Sequence, residues 1–148
     1  EKVLACDPDK IERIMLNLLS NAVKFTKPGG KIFVNIFDKG QYIIISVRDT
    51  GIGILEEKQK QIFERFMQID KSLSRVSEGS GIGLALVKSI VEMHEGNIYV
   101  NSELEKGTEF IIELPAKVLS ENVEVENNSC SQSDNIEKVK IEFSDIYL

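Results

Sequence analysis

The chain contains the stretch Asn17-Leu18-Leu19-Ser20-Asn21-Ala22-Val23-Lys24-Phe25-Thr26, in which a polar stripe interrupts an apolar helical pattern. Asn17, Asn21 and Lys24 are spaced i, i+4 and i+7, so a helix places them on one face. A solvated surface explains a lone asparagine, but two asparagines inside one helix are unfavourable for helix formation. The alternative is a ligand site, in which an Asn oxygen binds Mg²⁺ and Lys24 contacts a phosphate.

Apolar periodicity and helix-breaking residues predict the surrounding elements. Asp7 and Pro8 favour a helix start, and the apolar spacing predicts a helix from there to about Phe25. Further helices are predicted over residues 56–66 and 83–95, the second ended by Gly96 in the left-handed conformation. Strands are predicted over residues 31–38, 41–49, 97–103 and 108–114. This order predicts an α/β fold with helices on one face of a mixed, mostly antiparallel sheet.

A first glycine-spaced segment, Asp49-Thr50-Gly51-Ile52-Gly53, follows a predicted buried strand. An ionised Asp only accepts hydrogen bonds, so Asp49 suits the exocyclic amino group of adenine. The glycines remove side chains where a planar group could approach the backbone. A plain Asp-Gly turn at a strand end explains the segment equally well.

A second glycine-spaced segment, Gly79-Ser80-Gly81-Ile82-Gly83-Leu84, precedes a predicted helix. The N–H groups at a helix N-terminus can hold phosphate. The segment lacks the Lys-Ser/Thr ending of a P-loop and the preceding strand of a Rossmann turn. Alone it is weak evidence for a nucleotide site.

Together these segments resemble the ATP-binding catalytic domain of two-component sensor histidine kinases, in the GHKL group that also contains gyrase, Hsp90 and MutL. Residues 17–26 resemble the N box, 49–53 the G1 box, 62–66 the F box and 79–84 the G2 box, and the resemblance spans roughly residues 1–115. It implies a two-layer sandwich of the Bergerat type with three main helices on one face. The implied activity is transfer of the γ-phosphoryl of Mg²⁺-ATP to a histidine of a separate helical dimerisation domain.

The resemblance also assigns roles by position. Asn21 is the expected Mg²⁺ ligand and Asn17 a partner of phosphate or water, and with Lys24 they form the expected catalytic set. Asp49 is expected to bind adenine. The other expected nucleotide contacts are Lys24, Phe25, Gly51, Gly53, Ile54, Phe63, Phe66, Arg75, Ser80, Gly81, Ile82, Gly83, Leu84 and Thr108. Hydrolytic relatives carry a general-base Glu in place of Asn17, and an amide cannot take a proton from water at neutral pH. Asn17 therefore favours transfer to a protein over hydrolysis.

Gln68 and His94 bear on which groups assist and accept the phosphoryl transfer. Many relatives carry Arg in place of Gln68, so the cation that assists transfer is sought at Lys71 or Arg75, although both residues also fit a solvated loop. His94 is the one histidine of the chain. It resembles the helix-ending motif of the family, so the phosphoacceptor is expected on a domain upstream of Glu1.

Two other functions remain open: a serine kinase of the anti-sigma type, and a nucleotide-binding interaction module with little kinase activity. Phe25-Thr26 and Phe63-Glu64-Arg65-Phe66 favour the histidine kinase over the serine kinase. The presence of Asn21 and Asp49 argues against a decayed site.

The composition of the chain excludes further classes of protein and site. The net charge of −6 over 148 residues argues against a nucleic-acid-binding surface. No segment has the roughly 18 apolar residues of a membrane span, and no signal peptide begins the chain. The domain is therefore expected in the cytoplasm, whether or not the full-length protein is membrane-anchored. Cys6 and Cys130 have no metal-ligand spacing.

The expected partners are the phosphoacceptor domain of the same kinase and then a response regulator receiver domain. The isolated domain is expected to be a monomer and the full-length kinase a homodimer.

The composition divides the chain into a catalytic domain (1–116), an acidic linker (117–135) and a C-terminal tail (136–148). The linker is rich in Ser, Asn, Gln and Glu and is predicted to be flexible. In the tail, Val139, Ile141 and Phe143 alternate with polar residues, which is typical of a strand. The tail is predicted to pair with a sheet edge of its own domain or of a partner chain.

Overall fold

The computed structural model describes residues 6–64 and 82–116. Within them the helices are α1 (Pro8–Phe25), α2 (Glu56–Gln59) and α3 (Gly83–Met93), and the strands are β1 (Ile32–Asp38), β2 (Tyr42–Asp49), β3 (Asn97–Glu103) and β4 (Gly107–Pro115). Both ends of each strand lie within one residue of the predicted ends. The two predicted hairpins, β1–β2 and β3–β4, are confirmed.

Helix α1 begins where the side chain of Asp7 caps it. Oδ1 of Asp7 accepts hydrogen bonds from the backbone N–H groups of Asp9 (3.1 Å) and Lys10 (3.3 Å), and the bond from Lys10 lowers the pKa of the carboxyl. Pro8 fits the first turn, where no intrahelical N–H bond is made. The helix ends at Phe25, as predicted from the sequence.

The four strands form one antiparallel sheet in the order β1, β2, β4, β3. Ile45 of β2 lies opposite Ile36 of β1 and Ile112 of β4, and Ile112 lies opposite Ile98 of β3. A row of isoleucines therefore crosses the whole sheet on the face that carries the helices. Every pairing among the described strands is antiparallel.

The core lies between this sheet and the two longer helices. Ile14 and Leu18 of α1 and Val87 and Val91 of α3 are at most 1% exposed, and they pack with Ile112 of β4, which is fully buried. Burial of each such side chain stabilises the fold by about 1.5–3 kcal/mol. The result is the predicted two-layer α/β sandwich.

Helix α2 is shorter than predicted. A helix was expected over residues 56–66, but it ends at Gln59 after one turn and residues 60–64 continue as turns and a bend. Ile62 is buried all the same, and the ring of Phe63 packs edge-on against Phe110 with centroids 6.3 Å apart. The apolar residues that suggested a helix reach the core from turns, because tertiary packing overrides weak helix propensity.

Helix α3 ends at Met93, two residues earlier than predicted. Glu95, and not Gly96, adopts the left-handed conformation, with φ of 58°, so the predicted conformation of Gly96 is wrong. The Gly96 N–H still bonds the carbonyl of Val91 at 2.9 Å. Glycine is needed there for a different reason: a Cβ would lie 2.5 Å from the carbonyl oxygen of Glu113 on β4.

Several predicted segments lie outside the described residues: the loop before α3, the linker 117–135 and the tail 136–148. Their boundaries remain predictions. Within the described ranges, no helix is both long and apolar enough to cross a membrane.

Candidate functional site

A buried carboxylate stands at the end of strand β2. Asp49 is 5% exposed, and its Oδ1 accepts hydrogen bonds from the backbone N–H groups of Gly51 (2.8 Å) and Thr108 (3.3 Å). Thr108 lies on β4, which pairs with β2, so the sheet itself fixes this oxygen. Within residues 6–64 and 82–116 both bonds go to Oδ1, which leaves Oδ2 able to accept from a ligand.

The surroundings of Asp49 disfavour its charge. Burial raises the pKa of Asp49 above its ordinary value, while the hydrogen bonds from Gly51 and Thr108 oppose that change. A donor that reached Oδ2 would stabilise the charged form and lower the pKa again. A further N–H donor at Oδ2, such as an amino group, would therefore stabilise the carboxylate.

Three glycines allow backbone segments to touch around Asp49. A Cβ at Gly51 would collide with the carbonyl oxygen of Phe25, one at Gly53 with that of Glu103, and one at Gly107 with that of Asp49. Gly53 and Gly107 also have φ of 71° and 112°, where other residues are strained. Glycine at these three positions therefore lets the segments that flank Asp49 pack directly against neighbouring backbone.

A side-chain network that sequence reasoning missed holds the segment after Gly53 onto the sheet. The Gln59 amide donates to the carbonyls of Ile54 (3.1 Å) and Ser102 (2.8 Å), and Ser102 Oγ accepts from the Ile54 N–H at 2.8 Å. Ile54, an expected nucleotide contact, is half-buried against the core. Gln59 and Ser102 are 43 residues apart in the chain, so no local pattern predicts that they meet.

The first residue of the polar stripe of α1, Asn17, lies beside the start of α3. Asn17, Asn21 and Lys24 are all half-buried. The Asn17 Nδ2 group donates to the carbonyl of Arg13 at 2.9 Å, and a Cβ on Gly83 would lie 2.5 Å from Asn17 Oδ1. The structure therefore brings the N-box and G2-box residues into contact, with an acceptor oxygen between them.

The end of α1 meets the segment after Asp49. The Ile52 N–H donates to the carbonyl of Phe25 at 3.2 Å, and the Lys24 ammonium lies 5.8 Å from the centre of the Phe25 ring. The Phe25 side chain is 38% exposed. Phe25 thus joins the end of α1, next to Lys24, to the segment that follows Asp49.

The predicted phosphate segment is described only in part. Ile82 is the N-cap residue of α3 and is 41% exposed, Gly83 begins the helix, and Leu84 packs against the core. Four other expected contacts (Phe66, Arg75, Ser80 and Gly81), as well as Gln68 and Lys71, lie outside the described residues. Phe63, an expected nucleotide contact, packs against Phe110 in the core, where it acts as a structural anchor.

His94 lies at the far end of α3, about 16 Å from Gly83 at 1.5 Å per residue. Its Nδ1 lies 2.8 Å from the carbonyl of Ile90, and its Nε2 accepts from the backbone N–H of Asp7 at 3.3 Å. The His94 ring therefore links the end of α3, through Nδ1, to the residue that caps α1, through Nε2. This geometry gives His94 a structural role.

The described residues provide few metal ligands. Residues 6–64 and 82–116 contain no cluster of three or more His, Cys, Asp or Glu side chains that could hold a metal ion. A Mg²⁺ ion held by one amide oxygen together with nucleotide phosphates does not need such a cluster. Asn21, on the same helix face as Asn17 and half-buried, carries such an amide oxygen.

Comparison with known proteins identifies relatives of this chain. A family model described as histidine kinase-, DNA gyrase B-, and HSP90-like ATPase matches residues 6–118. The circadian input-output histidine kinase CikA of Synechococcus elongatus is 45% identical over 122 residues, which are 82% of this chain and 16% of CikA. Sensor protein SrrB of Staphylococcus aureus is 41% identical over 115 residues, 78% of this chain and 20% of SrrB. The chain thus spans about a fifth or less of these relatives.

Solved structures give the same result. A mycobacterial sensor histidine kinase, MprB, superposes with a TM-score of 0.69 at 31% identity, over 78% of each chain. Full-length ShkA in complex with AMPPNP superposes with a TM-score of 0.64 at 33% identity, over 75% of this chain and 22% of ShkA. The predicted fold and its likeness to sensor kinase catalytic domains are confirmed.

Proposed function

Because the chain belongs to the histidine kinase-, DNA gyrase B-, and HSP90-like ATPase family, we propose that it is the ATP-binding catalytic domain of a sensor histidine kinase. It binds Mg²⁺-ATP and transfers the γ-phosphoryl group to a histidine on a separate helical domain of the same full-length protein. From there the phosphoryl group passes to a response regulator receiver domain. The named sensor kinases among its relatives support this class over the serine kinase.

The observation that carries the proposal is the geometry of Asp49. One oxygen is held by the N–H groups of Gly51 and Thr108, and the other is left to accept. An adenine amino group supplies the matching donor, whereas guanine presents a carbonyl at the corresponding ring position. Asp49 therefore selects adenine nucleotides.

The phosphates are proposed to lie between α1 and the start of α3. Asn21 provides an amide oxygen for Mg²⁺, which supplies charge neutralisation at the phosphates when bound. Lys24 adds a positive charge on the same face of α1. The N–H groups at the start of α3, at Gly83 and Leu84, can donate to phosphate oxygens.

Asn17 is proposed to favour transfer over hydrolysis. Its Nδ2 bonds the carbonyl of Arg13, so Oδ1 is the atom turned toward Gly83. An amide oxygen at that point can orient a water molecule by accepting from it but cannot remove its proton at neutral pH. The γ-phosphoryl is then kept for the acceptor histidine.

The proposed function needs an acceptor histidine outside this domain. His94 is engaged through both ring nitrogens, so the acceptor belongs to another domain. We place the domain in the cytoplasm, where ATP and a receiver domain are available, with a monomeric isolated domain and a homodimeric full-length kinase.

The test is incubation of the chain with γ-labelled ATP, alone and with the helical acceptor domain of the same protein. We expect acid-labile label on the acceptor and none on the isolated chain, with Asp49→Asn as the binding-deficient control. Acid-labile label on His94 would refute the assignment of a separate acceptor. Acid-stable label on a partner would indicate a serine kinase, and tight ATP binding without transfer would indicate an interaction module.

A further inference from the structure

A row of polar side chains crosses three strands beside the apolar core. Continued by one position, the register of β2 and β4 brings Asp49 opposite Thr108, and β3 places Ser102 opposite the same threonine. Residues that are opposite each other in a sheet point to the same face. Asp49, Thr108 and Ser102 therefore lie side by side on the face that carries the helices.

The Ser102 hydroxyl makes three contacts, and they fix where its proton goes. Its oxygen accepts from the Ile54 N–H at 2.8 Å, donates to the Gly107 carbonyl at 3.0 Å and lies 2.9 Å from Thr108 Oγ1. A hydroxyl has one proton and two lone pairs, an N–H only donates and a carbonyl only accepts. The proton of Ser102 is therefore used at Gly107. The bond between the two hydroxyls then needs the proton of Thr108.

This arrangement leaves the Thr108 oxygen with lone pairs only. Thr108 is 6% exposed, and its backbone N–H lies 3.3 Å from Asp49 Oδ1, so the carboxylate is its immediate neighbour. A hydroxyl proton released from Ser102 would turn to that carboxylate, because hydrogen bonds to a charged acceptor are stronger than those to a neutral one. Ser102 prevents this by accepting the proton itself.

We propose that Ser102 is a positioning residue of the adenine site, which holds the proton of Thr108 and so keeps Asp49 Oδ2 available to the nucleotide. The inference rests on the proposed function, since it takes Asp49 as the residue that binds the adenine amino group. A Thr108 hydroxyl that donated to Asp49 would occupy a lone pair and weaken the carboxylate as an acceptor. Ser102 acts on ATP through Thr108 and does not touch the nucleotide. Gln59 supports it by donating to the Ser102 carbonyl at 2.8 Å.

A double-mutant cycle of Ser102→Ala and Thr108→Val, measured as the dissociation constant for ATP of the full chain, tests this role. Ser102→Ala should raise the dissociation constant about threefold to tenfold in the parent chain. In the Thr108→Val background it should have almost no effect, because valine has no proton to release. Ser102→Thr retains the hydroxyl and should keep the affinity of the parent chain.

Ser46→Ala is the matched control for the loss of a strand hydroxyl. Ser46 is 3% exposed and donates to Glu109 at 2.6 Å, on the face of the sheet opposite to the helices. Its hydroxyl has no contact with the row that contains Asp49. We expect Ser46→Ala to leave the dissociation constant for ATP unchanged.

Four outcomes would overturn the proposal. An equal rise in both backgrounds would show that Ser102 acts only by holding Ile54. An affinity unchanged by Ser102→Ala, or one lowered equally by Ser46→Ala, would show that the Thr108 proton does not matter. So would a Ser102→Thr chain with the melting temperature of the parent and the weak binding of Ser102→Ala. A parent chain that does not bind ATP would refute the proposed function, and this inference with it.

Discussion

Asp49→Asn should weaken ATP binding without weakening the fold, and the two effects have separate structural causes. The buried carboxylate has a raised pKa, so the folded protein binds more protons than the unfolded chain between the ordinary and the raised pKa. Below the ordinary pKa the carboxyl is neutral in both states. Above the raised pKa the full cost of burying its charge is present. Asparagine keeps an oxygen for the Gly51 and Thr108 N–H groups and removes that cost at neutral pH.

The expected loss of ATP binding comes from the second oxygen of the Asp49 carboxylate, Oδ2. If the Asn oxygen stays with Gly51 and Thr108, the amide NH₂ faces the adenine NH₂, and if the side chain flips, the clash moves to the backbone N–H groups. A hydrogen bond to a charged group contributes about 1.5–3 kcal/mol. The dissociation constant for ATP should therefore rise about tenfold to 150-fold, at 1.4 kcal/mol per tenfold.

Calorimetric titration with ATP and thermal unfolding of the nucleotide-free protein measure the two effects. We expect weaker binding and a melting temperature that is unchanged or higher. Lower pH should also weaken ATP binding to the parent chain as Asp49 protonates. Protonation of ATP affects the parent chain and Asp49→Asn equally. The difference between their pH dependences of ATP binding therefore reports the protonation of Asp49. An affinity unchanged by Asp49→Asn would refute the assignment of Asp49 to adenine. A melting temperature that falls would refute the argument that burying the charge of Asp49 costs stability.

Three further substitutions, the last with Gly40→Ala as its matched control, probe the rest of the site. Asn21→Ala should abolish phosphoryl transfer to the acceptor domain and leave ATP binding without Mg²⁺ unchanged, because it removes only a metal ligand; equal losses of binding with and without Mg²⁺ would contradict this. Gly83→Ala should displace the Asn17 amide and weaken Mg²⁺-ATP binding. The melting temperature should change little, because alanine favours the helix by about 1 kcal/mol. Calorimetry should show weaker binding where thermal unfolding shows no loss of stability, and equal changes in both would contradict this. Gly107→Ala should lower the free energy of unfolding by about 3 kcal/mol or more, because its Cβ would collide with a backbone carbonyl at positive φ, whereas Gly40→Ala has positive φ but open space and should cost about 1–2 kcal/mol. Equal costs in urea unfolding would show that φ alone matters.

Local sequence features predicted most of the fold. The cap at Asp7 and the apolar spacing located α1 to the residue, and alternation located the strands to within one residue at each end. Helix α2 was overestimated because Ile62 and Phe63 fit a helical pattern, yet they reach the core from turns. Apolar spacing shows which side chains are buried, but not whether a helix or a turn places them in the core.

The site was predictable where its chemistry lies in short segments. Asp49, Gly51 and Asn17 were named from spacing and resemblance. The structure joins Asp49 to Gly51 by a hydrogen bond and sets Asn17 beside Gly83, and their roles in binding remain predictions. The supporting contacts were not predictable, since Gln59 and Ser102 meet only after the strands have paired. Sequence periodicity carries no information on such distant pairs.

The backbone contacts at Gly51, Gly53 and Gly107 bear on resistance to inhibitors. A compound that competes for the space beside Asp49 would rest against segments that admit no side chain. A substitution at these glycines that excluded the compound would also separate the backbone segments and destabilise the protein. Selection under such a compound should therefore act on exposed side chains nearby, such as Ile52, which is 38% exposed. A scaffold that binds mainly through backbone atoms would leave few viable escape mutations.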